Sequence, residues 1–480
     1  MNAQINGNNL MEYQLGNIPD TDPSDLSSLY NQLNLQYRQK SFKASFRLEQ
    51  FYSTDSVKRD YQKLSQFLFQ YKFKRLELQV GNSYETLGRG LLLRSFEIPA
   101  SIKEEKYYRI RQGFYRDIQG VSVKYSGDIF SLKAIRGKPL NISYPPGNDM
   151  QRTELVEAVQ PEINVWNQGL GLMGLRHNDQ GINTYYSGIF IQGSLPLNFS
   201  YYTEYARDMS KNSNVLEFGE SDRYGVYFSL NHSWGSYGAS LELKKYNDFI
   251  IGTGISDPPT LVKEHAYHLL NRSTHITQLY NESGYQFEIY YMFNDGKLIT
   301  ANLSKGKNKF VDSFTFSEYF VELYWPFESR SYIKTFIDFA KDEIIGETNR
   351  YATGVYYTQI LKNQWSVSFE SEYQQISREY AISQPIYNLY IGLVISKSTK
   401  ISGNLYYEYT SDESIADKPD TDKIETSRHF YGLGATYRPN FKNTFTVFAG
   451  ERRGGPACTS GICYEVLDFR GVEIRWTIKF

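Results

Sequence analysis

The sequence predicts one all-β unit spanning residues 1–480, a large antiparallel transmembrane β-barrel of roughly 24 strands, within a range of about 18 to 24. Three observations predict it. Apolar and polar residues alternate with period two along the whole chain. The connections alternate between short and long. And 42 Tyr and 30 Phe sit in a chain whose mean hydropathy is −0.52. No run approaches the roughly 18 apolar residues of a spanning helix, which excludes a helical membrane protein. Aromatic and β-branched residues are too plentiful for disorder. Lys+Arg 52 against Asp+Glu 53 leaves a net charge of −1, so there is no bulk reason to expect nucleic-acid binding.

The alternation places strands near 4–15, 29–39, 42–53, 62–73, 75–85, 117–126, 129–138, 153–165, 169–177, 185–195, 197–208 and 223–233. It continues near 236–246, 284–293, 297–305, 314–326, 330–341, 350–361, 364–376, 385–397, 399–410, 428–439, 443–452 and 467–480. Early on, Leu33, Leu35 and Tyr37 oppose Gln32, Asn34, Gln36 and Arg38. After a turn at Lys40-Ser41, Phe42, Ala44, Phe46 and Leu48 oppose Lys43, Ser45, Arg47 and Glu49. Tyr285, Phe287, Ile289 and Tyr291 repeat the pattern, as do Trp365, Val367 and Phe369. The last strand sets Val472, Ile474, Trp476, Ile478 and Phe480 against Glu473, Arg475, Thr477 and Lys479. A soluble sandwich alternates too, so the connections must decide.

Short joints fall at Lys40-Ser41, Gly127-Asp128, Gly235, Asn294-Asp295-Gly296 and Lys362-Asn363. Long ones cover 86–116, 138–152, 209–222, 247–283, 411–427 and 453–466. In an up-and-down barrel every second joint shares a rim, and short turns on one rim with long loops on the other is the outer-membrane pattern. Lipid offers no hydrogen bonds, so β-structure crosses it only as a closed barrel. Its outer face is apolar and its lumen wet, which reconciles a hydrophilic average with membrane insertion. The pattern assigns most rings to lipid-facing positions, interfacial girdles and outer loops. Glu77, Glu242, Glu288, Glu370 and Glu372 fall on lumen faces.

Met-Asn-Ala-Gln lacks the apolar core of a signal peptide. A cytoplasmic chain and a mature chain restarted at Met1 are the alternatives. Ala3-Gln4 resembles a cleavage junction, and the barrel pattern favours the second, in the cell outer membrane of a Gram-negative envelope. Cys458 and Cys463 stand in a Gly-rich loop with four residues between them. A disulfide in an oxidising compartment is favoured over free thiols, and a metal pair is weaker because no second pair completes a tetrahedral set.

Tyr84-Glu85-Thr86-Leu87-Gly88-Arg89-Gly90-Leu91-Leu92-Leu93-Arg94 and Gly454-Gly455-Pro456-Ala457-Cys458-Thr459-Ser460-Gly461-Ile462-Cys463 resemble segments of an uncharacterised Bacteroidota outer-membrane family, a domain of unknown function. The resemblance implies a barrel and its location, and no activity or cofactor. The alternating last strand with Trp476 and terminal Phe480 likewise resembles the signal read by the barrel-assembly machinery.

A barrel of this size needs a plug, a collapsed cross-section or a partner. Segments 86–116 and 247–283 are the plug candidates. The first carries Arg89, Arg94, Lys103, Lys106, Arg109, Arg111 and Arg116 beside Glu85, and is read as a lumen or ligand-binding surface for anions or lipopolysaccharide phosphates. The plainer reading is a solvated loop balanced by Glu97, Glu104 and Glu105. Gly88-Arg89-Gly90 is too short and misplaced for a nucleotide fingerprint. In the second segment Asp257 and Pro258-Pro259 suit a helix start, and Thr260–Arg272 lacks Gly and Pro. His265, His268 and His275 fall on one side of such a helix, a weak metal candidate outweighed by plain amphipathic packing. No catalytic motif is present, though a rim hydrolase is kept as a minor alternative. The expectation is a channel or uptake protein for polar solutes, without cofactor, among outer-membrane lipids. The alternative is a structural or assembly component with a protein partner at lumen or rim; a soluble secreted β-protein is the third.

Overall fold

A computed structural model describes residues 3–55, 59–107, 109–141, 152–210, 222–277, 280–309, 313–327, 330–379, 381, 384–416, 425–459 and 462–480. Parts of the expected loops 86–116, 138–152, 209–222, 247–283, 411–427 and 453–466 therefore lie outside the described residues, including Ser460 and Gly461.

Each of the 24 expected strands is present. They form a single antiparallel sheet in chain order. The sheet closes on itself where Gln4–Asn17 pairs with Phe469–Lys479, in a register that sets Asn8 opposite Lys479 and Asn17 opposite Arg470. Closure removes both free edges, the condition for crossing a medium without hydrogen-bonding partners. The short joints named above share one rim, the rim on which Phe480 exchanges backbone hydrogen bonds with Gly7 at 2.8 and 3.0 Å. The other rim is less regular than expected. Gln180-Gly181 and the turn Glu343–Gly346 are short there, because the strands they join pair almost to their tips.

Parity along each strand sorts the side chains. On Ser313–Phe327, Tyr319, Val321 and Trp325 are exposed, while Phe316, Glu318 and Phe320 are buried. The same division runs around the barrel: Val80, Val121, Leu172, Ile191, Leu243, Ile337, Phe369, Leu393, Leu433 and Ile474 lie on the exposed face. A belt of this extent greatly exceeds the few hundred Å² of apolar patch that a water-soluble monomer tolerates. The last strand follows expectation. Trp476 stacks on Phe445 at 5.2 Å, and Phe480 stays half exposed.

A minority of the rings takes the other face. Tyr30, Tyr202, Tyr227, Tyr246, Phe316, Phe320, Phe336 and Phe430 are buried, packed toward the interior rather than toward lipid. No helix among the described residues is long and apolar enough to cross a membrane. Because Val321 is mid-strand on the outer face, Val321→Arg is expected to cost about 2–4 kcal/mol. Urea unfolding in lipid vesicles measures this, with Tyr437→Arg, on the same outer face near the short-turn rim, expected to cost much less.

Candidate functional site

Two chain segments turn inward from the long-loop rim. The first joins Leu76–Ser83 to Ile118–Ser126. It begins with a tight pairing of Thr86–Leu87 against Leu93–Arg94, then forms the hairpin Phe96–Glu104 against Arg111–Arg116. Gly88 and Gly90 have φ of +53° and +99°. A Cβ on Gly88 would meet the Glu204 carboxylate at 2.5 Å, and with its positive φ this favours glycine where the backbone lies against the wall. There the Gly88 N–H donates to Gln160 Oε1 at 3.0 Å, and the Arg89 N–H to Glu204 Oε2 at 2.6 Å. The Gly-Arg-Gly tripeptide is thus a docking turn. Leu87 before it and Leu91, Leu92 and Leu93 after it enter an apolar cluster with Ile118, Val156, Leu175 and Tyr246 of the wall.

The second segment joins Tyr237–Asn247 to Glu282–Met292. Phe249, Ile251, Ile255 and Leu261 enter the same cluster. The segments clasp each other through backbone bonds, Arg94 N–H to Ile255 O and Asp257 N–H to Gly90 O, both 3.1 Å. Burial raises the Asp257 carboxyl pKa despite neighbouring Arg94 and Arg116.

The expected helix over Thr260–Arg272 is corrected to one turn, His268–Arg272. Distance explains this. Tyr246 on the wall holds Pro259 O, whereas the N–H groups of His268 and Leu269 reach Glu372, six strands further on, at 2.7 and 2.8 Å. Six strand spacings make about 29 Å along the wall. Nine residues supply about 13 Å as a helix and about 30 Å extended. The span selects extended chain, and the helix starts only where Glu372 receives its first N–H groups. On the way Lys263 pairs with Glu288 and Tyr267 donates to Glu322, each at 2.5 Å.

The structure disperses the residues singled out by sequence. Glu85 is tied to Lys124 and Ser122, both at 2.9 Å. Arg109 is buried on Glu104 and Asn17, each at 2.7 Å. Arg111 is 1% exposed, with Nη1 2.8 Å from Glu12 Oε1 and Nη2 on Ser28. These three are anchors. Arg89 and Arg94 instead border a cavity of about 540 Å³ between the two segments, with Tyr227, Glu242 and Gln286. Arg89 lies over the Tyr202 ring at 4.9 Å, and Arg94 is 3.3 Å from Asp257.

The three histidines do not meet. His265 Nε2 is 3.2 Å from Glu318, His268 Nε2 is 3.1 Å from Glu408, and His275 Nδ1 is 2.8 Å from Asp342. The single-sided histidine set fails with the helix that would have aligned it. Cys458 and Cys463 form the expected disulfide, across a hairpin whose Cys458 N–H donates to Asn271 at 2.9 Å.

His275 gives a pH prediction. Burial alone would depress its pKa, but hydrogen bonds and charge from Asp342 and Glu282 outweigh this and raise it above 6.5. Its anchoring is therefore complete below about pH 6.5 and is lost as pH rises through the raised folded value. The gap in melting temperature between the native chain and His275→Ala is expected to be largest near pH 6 and to shrink toward pH 9.

Sequence reasoning missed a buried charge of the interior that joins wall to inserted segment. Arg350, fully buried, holds Glu318 at 2.6 Å and Asp338 at 3.0 Å, and donates to Ser273 O of the second segment at 2.6 Å. These residues stand on three strands, so only strand parity signals that they share a face.

A further space lies against the first five strands and the last, beneath Glu97, Pro99 and Ala100 of the first segment. It measures about 770 Å³ and is lined by Asn6, Asn8, Gln32, Asn34, Gln36, Gln66, Gln70, Gln79 and Asn82, with Lys43, Arg47 and Lys479.

A family model described as a family of unknown function, DUF6029, matches residues 1–152 and 195–480. The chain belongs to this family. No curated protein sequence matches this DUF6029 chain. Among solved structures, Pseudomonas aeruginosa OpdQ is similar at 14% identity and TM-score 0.43, over 73% of this chain and 95% of that one. Pseudomonas aeruginosa OccK2 (OpdF) in complex with glucuronate matches at 14% and 0.40, over 71% and 92%. The P pilus usher (PapC) translocation pore matches at 9% and 0.49, over 99% of each chain. The likeness of the DUF6029 chain to these proteins is one of barrel architecture.

Proposed function

We propose that this DUF6029 protein is an outer-membrane channel or uptake protein for polar solutes, with segments 86–116 and 247–283 as its internal plug. The observation that carries this is the amide-lined chamber of about 770 Å³ left beside the plug. Amide side chains donate and accept, so a wall rich in Asn and Gln matches solutes bearing hydroxyl or peptide groups without demanding a charge. Arg89 and Arg94, at the second cavity, add a cationic contact for solutes that carry an acid group.

In this reading a leader has been removed, and the barrel-assembly machinery reads the last strand through Trp476 and Phe480. Outer-membrane lipids, including lipopolysaccharide, surround a barrel of Bacteroidota origin. Neither nucleic acid, cofactor nor enzymatic turnover enters it. Planar-bilayer recording and liposome uptake of the purified chain test it. Discrete channels are expected, with neutral oligosaccharides or small peptides entering faster than inorganic-size multivalent anions. An electrically silent barrel that admits no solute sinks the proposal.

The density of buried anchors, Arg111 on Glu12 and Arg350 on Ser273 O among them, favours a second reading. A plug fixed this firmly suits a structural or assembly component bearing a protein partner on its outer loops. Cross-linking in intact cells followed by detergent purification would return a stoichiometric companion in that case, and none otherwise.

A further inference from the structure

We propose that His265, Glu318 and Asp338 form a buried site for a divalent transition-metal cation such as Zn²⁺, which clips the second inserted segment to the barrel wall. Glu318 and Asp338 stand on the adjacent strands Ser313–Phe327 and Ser331–Asp342, where Asp338 is paired opposite Phe320, two residues from Glu318. Parity turns both carboxylates to the interior. His265 arrives from the inserted segment, above the Phe320 ring at 4.6 Å. One ligand atom from each of the three residues lies within 4.8 Å of the others. His265 is 3% exposed, and Glu318 and Asp338 are fully buried.

Two observations beyond proximity point to a cation. The first is a set of unsatisfied atoms: Glu318 Oε2 and Asp338 Oδ2 have no hydrogen-bond partner, and neither has His265 Nδ1, while Nε2 makes only the 3.2 Å approach to Glu318 Oε1. Buried polar atoms are normally satisfied, and a leftover oxygen on each of two carboxylates beside one imidazole nitrogen has a common explanation in a shared ligand. Arg350 does not remove it. Its Nη2 takes Glu318 Oε1 and its Nε takes Asp338 Oδ1, so each carboxylate is oriented through one oxygen while the other is left over. That is how an outer group positions metal-binding carboxylates.

The second observation is charge. Glu318 and Asp338 both lean on the guanidinium of Arg350, whose Nη1 is also 3.8 Å from Glu347 Oε2, while Glu347 Oε1 is shared with Arg378 at 3.5 Å. Setting Glu347 against Arg378, two carboxylates against one guanidinium leave a negative charge in a site without water-facing surface. A cation bound by neutral imidazole offsets it. One nitrogen and two oxygens are a familiar donor set for zinc, with a fourth position for water. The competing occupant is protons, on His265 and on one carboxyl group. The site joins two strands of the wall to the second inserted segment.

The test uses the purified full chain in detergent, stripped with a chelator and titrated with Zn²⁺ against a chromophoric chelator. One equivalent is expected to bind, and His265→Ala is expected to weaken it by about 100-fold or more. His268→Ala and His275→Ala, whose rings face other carboxylates, leave the affinity unchanged. His265→Cys retains the site and, loaded with Co²⁺, shows a sulfur-to-cobalt charge-transfer band. Heat-modifiable gel mobility confirms that each variant keeps a closed wall. Absence of stoichiometric binding to the native chain overturns the proposal in favour of protons. Undiminished binding to His265→Ala, or no charge-transfer band from His265→Cys, overturns it in favour of carboxylates elsewhere.

Discussion

Replacing Leu87–Tyr115 with a short Gly-Ser linker is expected to raise single-channel conductance by about an order of magnitude over the intact chain. The wall survives the excision, because Leu76–Ser83 and Ile118–Ser126 are already hydrogen-bonded neighbours, with Ser83 opposite Ile118. The linker merely closes a hairpin. What disappears is the Leu87 and Leu91–Leu93 contribution to the interior cluster, the Arg111–Glu12 contact and the Arg47–Glu97 pair that roofs the amide chamber. Roughly 22 strands already enclose more area than side chains can fill, so the freed cross-section becomes water. Bilayer recordings decide the matter: equal conductance before and after excision would show that this segment does not stand in the ion path.

The second large effect is expected from Arg350→Met, which should destabilise the barrel by about 3–5 kcal/mol, because Glu318 and Asp338 stay buried without a counter-charge. Adding Glu318→Gln and Asp338→Asn removes the uncompensated charges and should recover most of the loss. Urea titration in vesicles, with chelator present, measures both. A single substitution costing under about 1 kcal/mol, the scale of an exposed pair, would mean that water reaches the cluster.

These outcomes rest on interior chemistry, and that is where the sequence was least legible. The wall was readable because each strand must present one apolar face to lipid: Val472, Ile474 and Trp476 cannot be shifted by one residue without turning Glu473 and Arg475 outward. The rim was readable because short turns such as Asn294-Asp295-Gly296 share it. The interior obeys no local period. Phe320 and Phe336 face inward because the inserted Tyr267 and Leu270 supply apolar partners there, which no window around either phenylalanine reveals. The Thr260–Arg272 segment has helical composition, yet the positions of Tyr246 and Glu372 stretch it. Arg109 and Arg111 looked like ligand-binding residues because a run of cations suggests an anion, whereas Glu104 and Glu12 already satisfy them. Glu288 and Glu372 were correctly placed on the inner face, but which segment they hold depended on the fold.

The seam between Gln4–Asn17 and Phe469–Lys479 has a consequence for biogenesis. Gln14 and Glu473 are hydrogen-bonded at 2.9 Å across almost the entire sequence. No local contact can stand in for that pairing, so the first strand remains an unsatisfied edge until the last one has been made and delivered. Loop-closure entropy of this span makes the step slow, and an uncovered edge invites other chains. The seam is therefore the natural kinetic bottleneck of assembly, and the point at which a folding catalyst would have most to gain by holding the two strands apart from all others until they meet.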